Sequence, residues 1–187
     1  MKVPLTFQNT EYDCCSASFI NALNYLFERE EIPAQLIKII TNYTLDEKDE
    51  HGMEGQGGTS HSAIRKIIEK FGQFSDLISC EVLCGDNVTL EKMRICLESG
   101  GVIVARCYQD EEHYVLITKI DDHFVYLFDP YYVEKDYYAK DDQVAVVLDE
   151  MFTHNRIVKI ERLMGGSHKD FSLMEPEKRE VVLLSRI

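Results

Sequence analysis

The sequence predicts an α+β fold, with N-terminal helices packed on a C-terminal antiparallel sheet. Apolar residues recur at helical spacing through roughly the first hundred positions, and after Ser99-Gly100-Gly101 the texture changes to short β-branched and aromatic runs. The two kinds of segment follow one another instead of alternating, which favours helices laid against a sheet over a βαβ design. The 187 residues, 45% hydrophobic and 28% charged, suffice for one substantial core. A single domain over 1–187 is therefore expected.

Asp13 precedes a stretch in which Phe19, Ile20, Leu23, Leu26 and Phe27 share one face, so residues 14 to about 29 read as an amphipathic helix. Ile32-Pro33 restarts the chain into a second helix with Leu36, Ile37, Ile39 and Ile40 on its apolar side, since proline is tolerated in a first turn. Thr44 to Gly58 holds Asp46, Glu47, Asp49, Glu50 and four of the ten glycines, the composition of an exposed loop, here expected to overhang a site as a lid. Thr59 or Ser60 caps a third helix, with Ala63, Ile64, Ile67, Ile68 and Phe71 in one stripe and Gly72 as its stop. A fourth begins near Thr89. Strands are expected at Val102–Cys107, His113–Ile120, Phe124–Phe128, Val144–Leu148, Arg156–Glu161 and Val181–Ser185.

Charge excludes some partners. With 33 acidic against 20 basic residues the formal charge is −13, which repels nucleic acid and anionic lipid. Neither is an expected partner. The start carries no apolar run long enough for a signal peptide, and nowhere do about 18 apolar residues occur together; a cytoplasmic protein is expected. In reducing cytosol the six cysteines (14, 15, 80, 84, 96 and 107) remain thiols, most of them small buried hydrophobes. Cys80 and Cys84 are a weak metal pair without a second close pair to complete a site, so no metal and no cofactor is expected.

Cys14 lies at a predicted helix start, where the positive end of the helix dipole favours a thiolate. A nucleophile of this kind needs a base. His51, His61, His123, His154 and His168 fall in polar loops, turns or a first helical turn, the setting of surface histidines. His113 differs, because it opens a strand whose hairpin partner ends in Asp129-Pro130. A three-residue connection sets His113 opposite Asp129, and a two-residue connection needs a bulge to bring both to one face. Either way the base and the carboxylate that orients it meet at the open end of the hairpin.

The stretch Gln8-Asn9-Thr10-Glu11-Tyr12-Asp13-Cys14, followed by Ser16, Ala17, Ser18 and an apolar helix, resembles the start of the C39-like papain-fold cysteine peptidases. Gly58-Thr59-Ser60 into a helix, Gly101-Val102-Ile103-Val104, His113-Tyr114-Val115-Leu116 and Tyr126-Leu127-Phe128-Asp129-Pro130 follow in that family's order, covering roughly residues 5 to 131. The resemblance implies a papain-like fold and a catalytic set of Cys14, His113, Asp129 and Gln8. Cys14 would be the nucleophile, His113 its base and Asp129 the orienting group. Gln8, six residues before Cys14, would donate to the oxyanion. The implied activity is hydrolysis of a peptide or small acyl or amide substrate through a thioester.

Two departures bear on this. Many members have glycine after the nucleophile, where this chain has Cys15, a side chain able to narrow the site or serve as a second thiol. Many are also fused to exporters, whereas the sequence shows neither a membrane span nor a nucleotide-binding motif and reads as a stand-alone member. Acyl transfer on the same scaffold is the alternative chemistry, and a catalytically silent binding protein the alternative class. The tail from Val133 to Ile187 either completes the sheet or shapes substrate selection. The aromatic group Tyr131, Tyr132, Tyr137 and Tyr138 suits either a groove or strand-edge packing.

Overall fold

Ordered along the chain, a computed structural model of residues 1–187 places three helices first: α1 (Cys14–Leu26), α2 (Ala34–Tyr43) and α3 (His61–Phe71). Strand β1 (Ile78–Cys84) and helix α4 (Leu90–Glu98) follow, then β2 (Val102–Gln109), β3 (Glu111–Ile120), β4 (Phe124–Phe128) and β5 (Val144–Val146). Strand β6 (Arg156–Lys159), the short α5 (Ile160–Met164) and β7 (Glu180–Arg186) complete the α+β chain. All seven strands form one sheet in the order β1-β7-β2-β3-β4-β6-β5, antiparallel throughout.

The helix ends follow local chemistry. Helix α1 stops at Leu26, short of the expected 29, because Phe27 turns to extended backbone and Glu28 opens a separate turn by accepting and returning bonds with Glu31. Ser60 caps α3 by accepting from the Ala63 N–H. Gly72 does not break that helix through a left-handed conformation; it stays right-handed and the chain tightens into a 3₁₀ turn over Gly72–Phe74. Thr89 caps α4 through Lys92 N–H, and Gly100 at φ +82° turns the chain into β2.

Three features differ from the sequence reading. Residues 78–84, where only Glu81-Val82-Leu83 suggested strand or core, form the edge strand β1 against β7. The run Arg156–Glu161 splits into β6 and α5, since Glu161-Arg162-Leu163-Met164 are straight-chain helix formers. The run Val144–Leu148 pairs only as far as Val146.

Helices cover both faces of the sheet. On one face, α1, α2 and α3 bury Phe19, Leu23, Leu36, Ile40, Ile64 and Phe71 against Val104, Leu116 and Phe128. On the other, Met93 and Cys96 of α4, Leu163 of α5 and Phe171 and Leu173 pack on Ile103, Val115, Ile117 and Leu127. Each large side chain so buried stabilises the fold by about 1.5–3 kcal/mol. The tail completes the sheet, and its last strand is not at the edge: β7 lies between β1 and β2.

Candidate active site

Cys14 is the first residue of α1, and the reason its helix start is open lies in Asp13. The Asp13 carboxylate turns back to accept from the N–H groups of Asn9 (3.1 Å) and Thr10 (2.7 Å) and from Thr10 Oγ1 (2.7 Å). Burial pushes this carboxyl up, but those bonds outweigh it and hold it below the usual carboxylate range. No side chain therefore caps α1, and its first-turn N–H groups stay available at the positive end of the helix. One turn on, Ser18 Oγ donates to the carbonyl of Tyr114 at 2.9 Å, which ties α1 to the strand beside His113.

The β3–β4 hairpin uses a tight turn and a bulge. Asp121 N–H bonds to the Phe124 carbonyl, and the register shifts between Ile117 and Lys119 before settling at Leu116 opposite Phe128. Continued, that register sets Asp129 beside Val115, one same-face step from His113. His113 Nε2 donates to Asp129 Oδ1 at 2.8 Å, with both residues buried. Cys14 and this imidazole line the same cavity. Burial disfavours the imidazolium, but the charge and hydrogen bond of Asp129 overcome it, with help from Cys14, and hold His113 up at about 10. No protein-family model and no curated protein matches the chain.

Asp129 has further partners that the sequence reading missed. Its Oδ1 also accepts from Tyr131 N–H at 2.9 Å, and its Oδ2 accepts from Arg156 Nη2 at 3.2 Å. Its backbone is clasped by Asn155, which accepts from Asp129 N–H and donates to its carbonyl, each at 2.7 Å. The only signal for this in the sequence was a polar pair, Asn155-Arg156, at the mouth of a strand that had to be buried. Arg156 is fully buried and also bonds the carbonyls of Asn155 (3.0 Å) and Tyr131 (2.9 Å).

Gln8 lies on an N-terminal segment held along α1 by Asn21, which pairs with both the N–H and the carbonyl of Thr6. Its own N–H bonds to the Pro130 carbonyl at 2.9 Å, next to Asp129. The side chain does not line the cavity at Cys14. Its Nε2 donates to the Thr10 carbonyl at 2.7 Å, and its buried Oε1 has no partner. One Nε2 hydrogen remains for another acceptor.

Cys14 and His113 face a cavity of about 530 Å³. Its walls come from three places: the loop before α3 (Glu47, Gln56 to Thr59), the β2–β3 tip (Gln109 to Glu112), and aromatic residues including Tyr131 and Tyr137. The loop expected to overhang a site thus forms one wall. Gly57 is required there, because a Cβ would come within 2.5 Å of the Lys48 carbonyl oxygen.

Cys15 points away, fully buried in the core. Burial first, and neighbouring Cys14 second, push its thiol well above the usual range. Burial likewise raises Cys107 and Cys96 and lifts Cys80 to about 12. Beneath the site, His61 Nδ1 pairs with buried Glu180 at 2.8 Å, and its other ring nitrogen meets the buried guanidinium of Arg106. Arg106 also holds Glu112 at 2.9 Å. His61, read as a surface residue, is thus half-exposed and tied into this network. No group of three or more His, Cys, Asp or Glu side chains gathers as metal ligands around Cys80 and Cys84 or elsewhere.

Proposed function

We propose that this chain is a cysteine-dependent hydrolase of peptide or amide bonds, built on the papain-like C39-type plan that its motifs resemble. One observation carries the reading: His113, bonded to buried Asp129, shares the wall of one cavity with Cys14. Cys14 sulfur attacks the substrate carbonyl carbon, and its proton resides on His113. The oxyanion is met by the uncapped N–H groups at the start of α1, together with Gln8 once its amide turns from Thr10. The tetrahedral adduct collapses as His113 passes its proton to the leaving nitrogen, and the C–N bond breaks to leave a thioester. Water then attacks the thioester, His113 takes its proton, and the acid leaves as that proton returns to sulfur.

Asp129 keeps the imidazole oriented and compensates the imidazolium in both steps. Burial holds Cys15, Cys80, Cys96 and Cys107 neutral, which leaves Cys14 and the partly buried Cys84 as the thiols whose rates must be compared. The test is intact-mass labelling with limiting iodoacetamide and peptide mapping, on wild type and His113→Ala. Preferential labelling of Cys14 that slows in the variant supports the reading. Labelling of Cys14 no faster than Cys84, unchanged in His113→Ala, refutes it.

A further inference from the structure

The cavity holding Cys14 and His113 is lined by Glu11, Glu47, Asp110, Glu111 and Glu112, and by no lysine or arginine. Only Glu112 is neutralised, by the Arg106 guanidinium behind it. The other four carboxylates form no ion pair and stand exposed on three separate chain segments: the approach to α1, the loop before α3 and the tip between β2 and β3. The chain as a whole carries 20 basic residues, many of them paired with surface acids, so a wall whose one cation is the His113 imidazolium, already compensated by Asp129, does not simply repeat the general surface.

Aromatic faces accompany the charge. Tyr131 stands beside Glu11, and Tyr137 lines the same side; carboxylates next to tyrosine rings suit an ammonium or guanidinium, which gains from both. Tyr114, only 4% exposed, also lines this cavity. A walled cleft of one sign concentrates ligands of the other sign and excludes like charge.

We infer that the cleft selects cationic substrates: peptides or amides with a side chain ending in an ammonium or guanidinium close to the bond attacked by Cys14. This rests on the hydrolase reading above and names its substrate class. Substrates bearing carboxylates near that bond are rejected by the same field.

The experiment measures Cys14 modification by three methanethiosulfonates, carrying trimethylammonium, neutral methyl and sulfonate groups, each forming a mixed disulfide and releasing methanesulfinate. Rates mapped to Cys14 are divided by those for free glutathione, at low salt and at high salt, in wild type and in Glu47→Gln/Asp110→Asn/Glu111→Gln. The expected cationic-to-anionic ratio exceeds that of glutathione by about tenfold or more at low salt and collapses with salt and in the triple variant. A ratio equal to that of glutathione overturns the inference. A neutral reagent that modifies Cys14 no faster than Cys84 refutes the hydrolase reading instead. A peptide library completes the test: Cys14-dependent cleavage enriched at lysine or arginine supports the inference, and cleavage with no such enrichment overturns it while leaving the hydrolase reading intact.

Discussion

Arg156 Nη2 donates to Asp129 Oδ2 at 3.2 Å, while His113 Nε2 donates to Oδ1 at 2.8 Å, so one buried carboxylate is shared between a permanent cation and a titrating one. The permanent cation keeps Asp129 compensated when His113 gives up its proton. Arg156 and Asp129 are both fully buried, so solvent does not screen the pair. Removing Arg156 would leave the His113 imidazolium as the one cationic partner of Asp129, and would strip the carbonyls of Asn155 and Tyr131 of their guanidinium donor.

Arg156→Met, of similar volume and no charge, is therefore expected to destabilise the fold by about 3–5 kcal/mol, read from urea unfolding midpoints. Arg156→Met/Asp129→Asn should recover part of the loss, because no buried carboxylate is then left without its second cation. A single variant within about 1 kcal/mol of wild type would show that the pair does not hold this corner together.

The raised His113 dictates a pH dependence. Its folded value of about 10 lies above the ordinary 6.5, so folding binds the proton more tightly than the unfolded chain does. The resulting stabilisation is complete below pH 6.5 and is lost as pH climbs through about 10. Urea unfolding at intervals from pH 6 to 10 should show wild-type stability falling more steeply than that of His113→Gln. Other groups titrate in this window in both proteins, so the difference between the two curves isolates His113. Parallel curves would mean that the imidazole is not held charged by Asp129.

Much of this site was legible because its parts are local. Cys14 follows from an amphipathic period beginning after Asp13, and the His113–Asp129 meeting follows from alternation along two neighbouring strands. The bulge that aligns them was one of the two geometries those strands allowed. Arg156, Arg106 and Glu180 were not legible, because each reaches its partners across long separations in a sheet order that alternation does not specify. Nothing in β7 announces that it inserts between β1 and β2. The orientation of Gln8 was missed for a different reason: sequence spacing places a side chain near an oxyanion, but the choice of hydrogen-bond acceptor is made by neighbours, here the Thr10 carbonyl.

The Ser18–Tyr114 bond predicts a modest stability loss with a larger effect on reactivity. Ser18 is fully buried, so Ser18→Ala removes one bond and leaves the Tyr114 carbonyl short of a donor, at about 1 kcal/mol or somewhat more. Because the bond ties α1 to β3 one turn from Cys14, iodoacetamide labelling of Cys14 should slow at conditions where both proteins are fully folded. An unchanged labelling rate beside a measurable stability loss would confine Ser18 to packing.

Gln8 separates oxyanion chemistry from thiol activation, because alkylation by iodoacetamide passes through no oxyanion. In the hydrolase reading, Gln8→Ala should lower kcat on a cleaved peptide about a hundredfold or more. Cys14 labelling should change little, since His113 and Asp129 are untouched and the Gln8 backbone bond to Pro130 survives the substitution. Equal losses in both measurements would make Gln8 a structural support for the segment ahead of α1. No loss in either would leave the oxyanion to the N–H groups of the helix start alone, in keeping with the amide's present bond to Thr10.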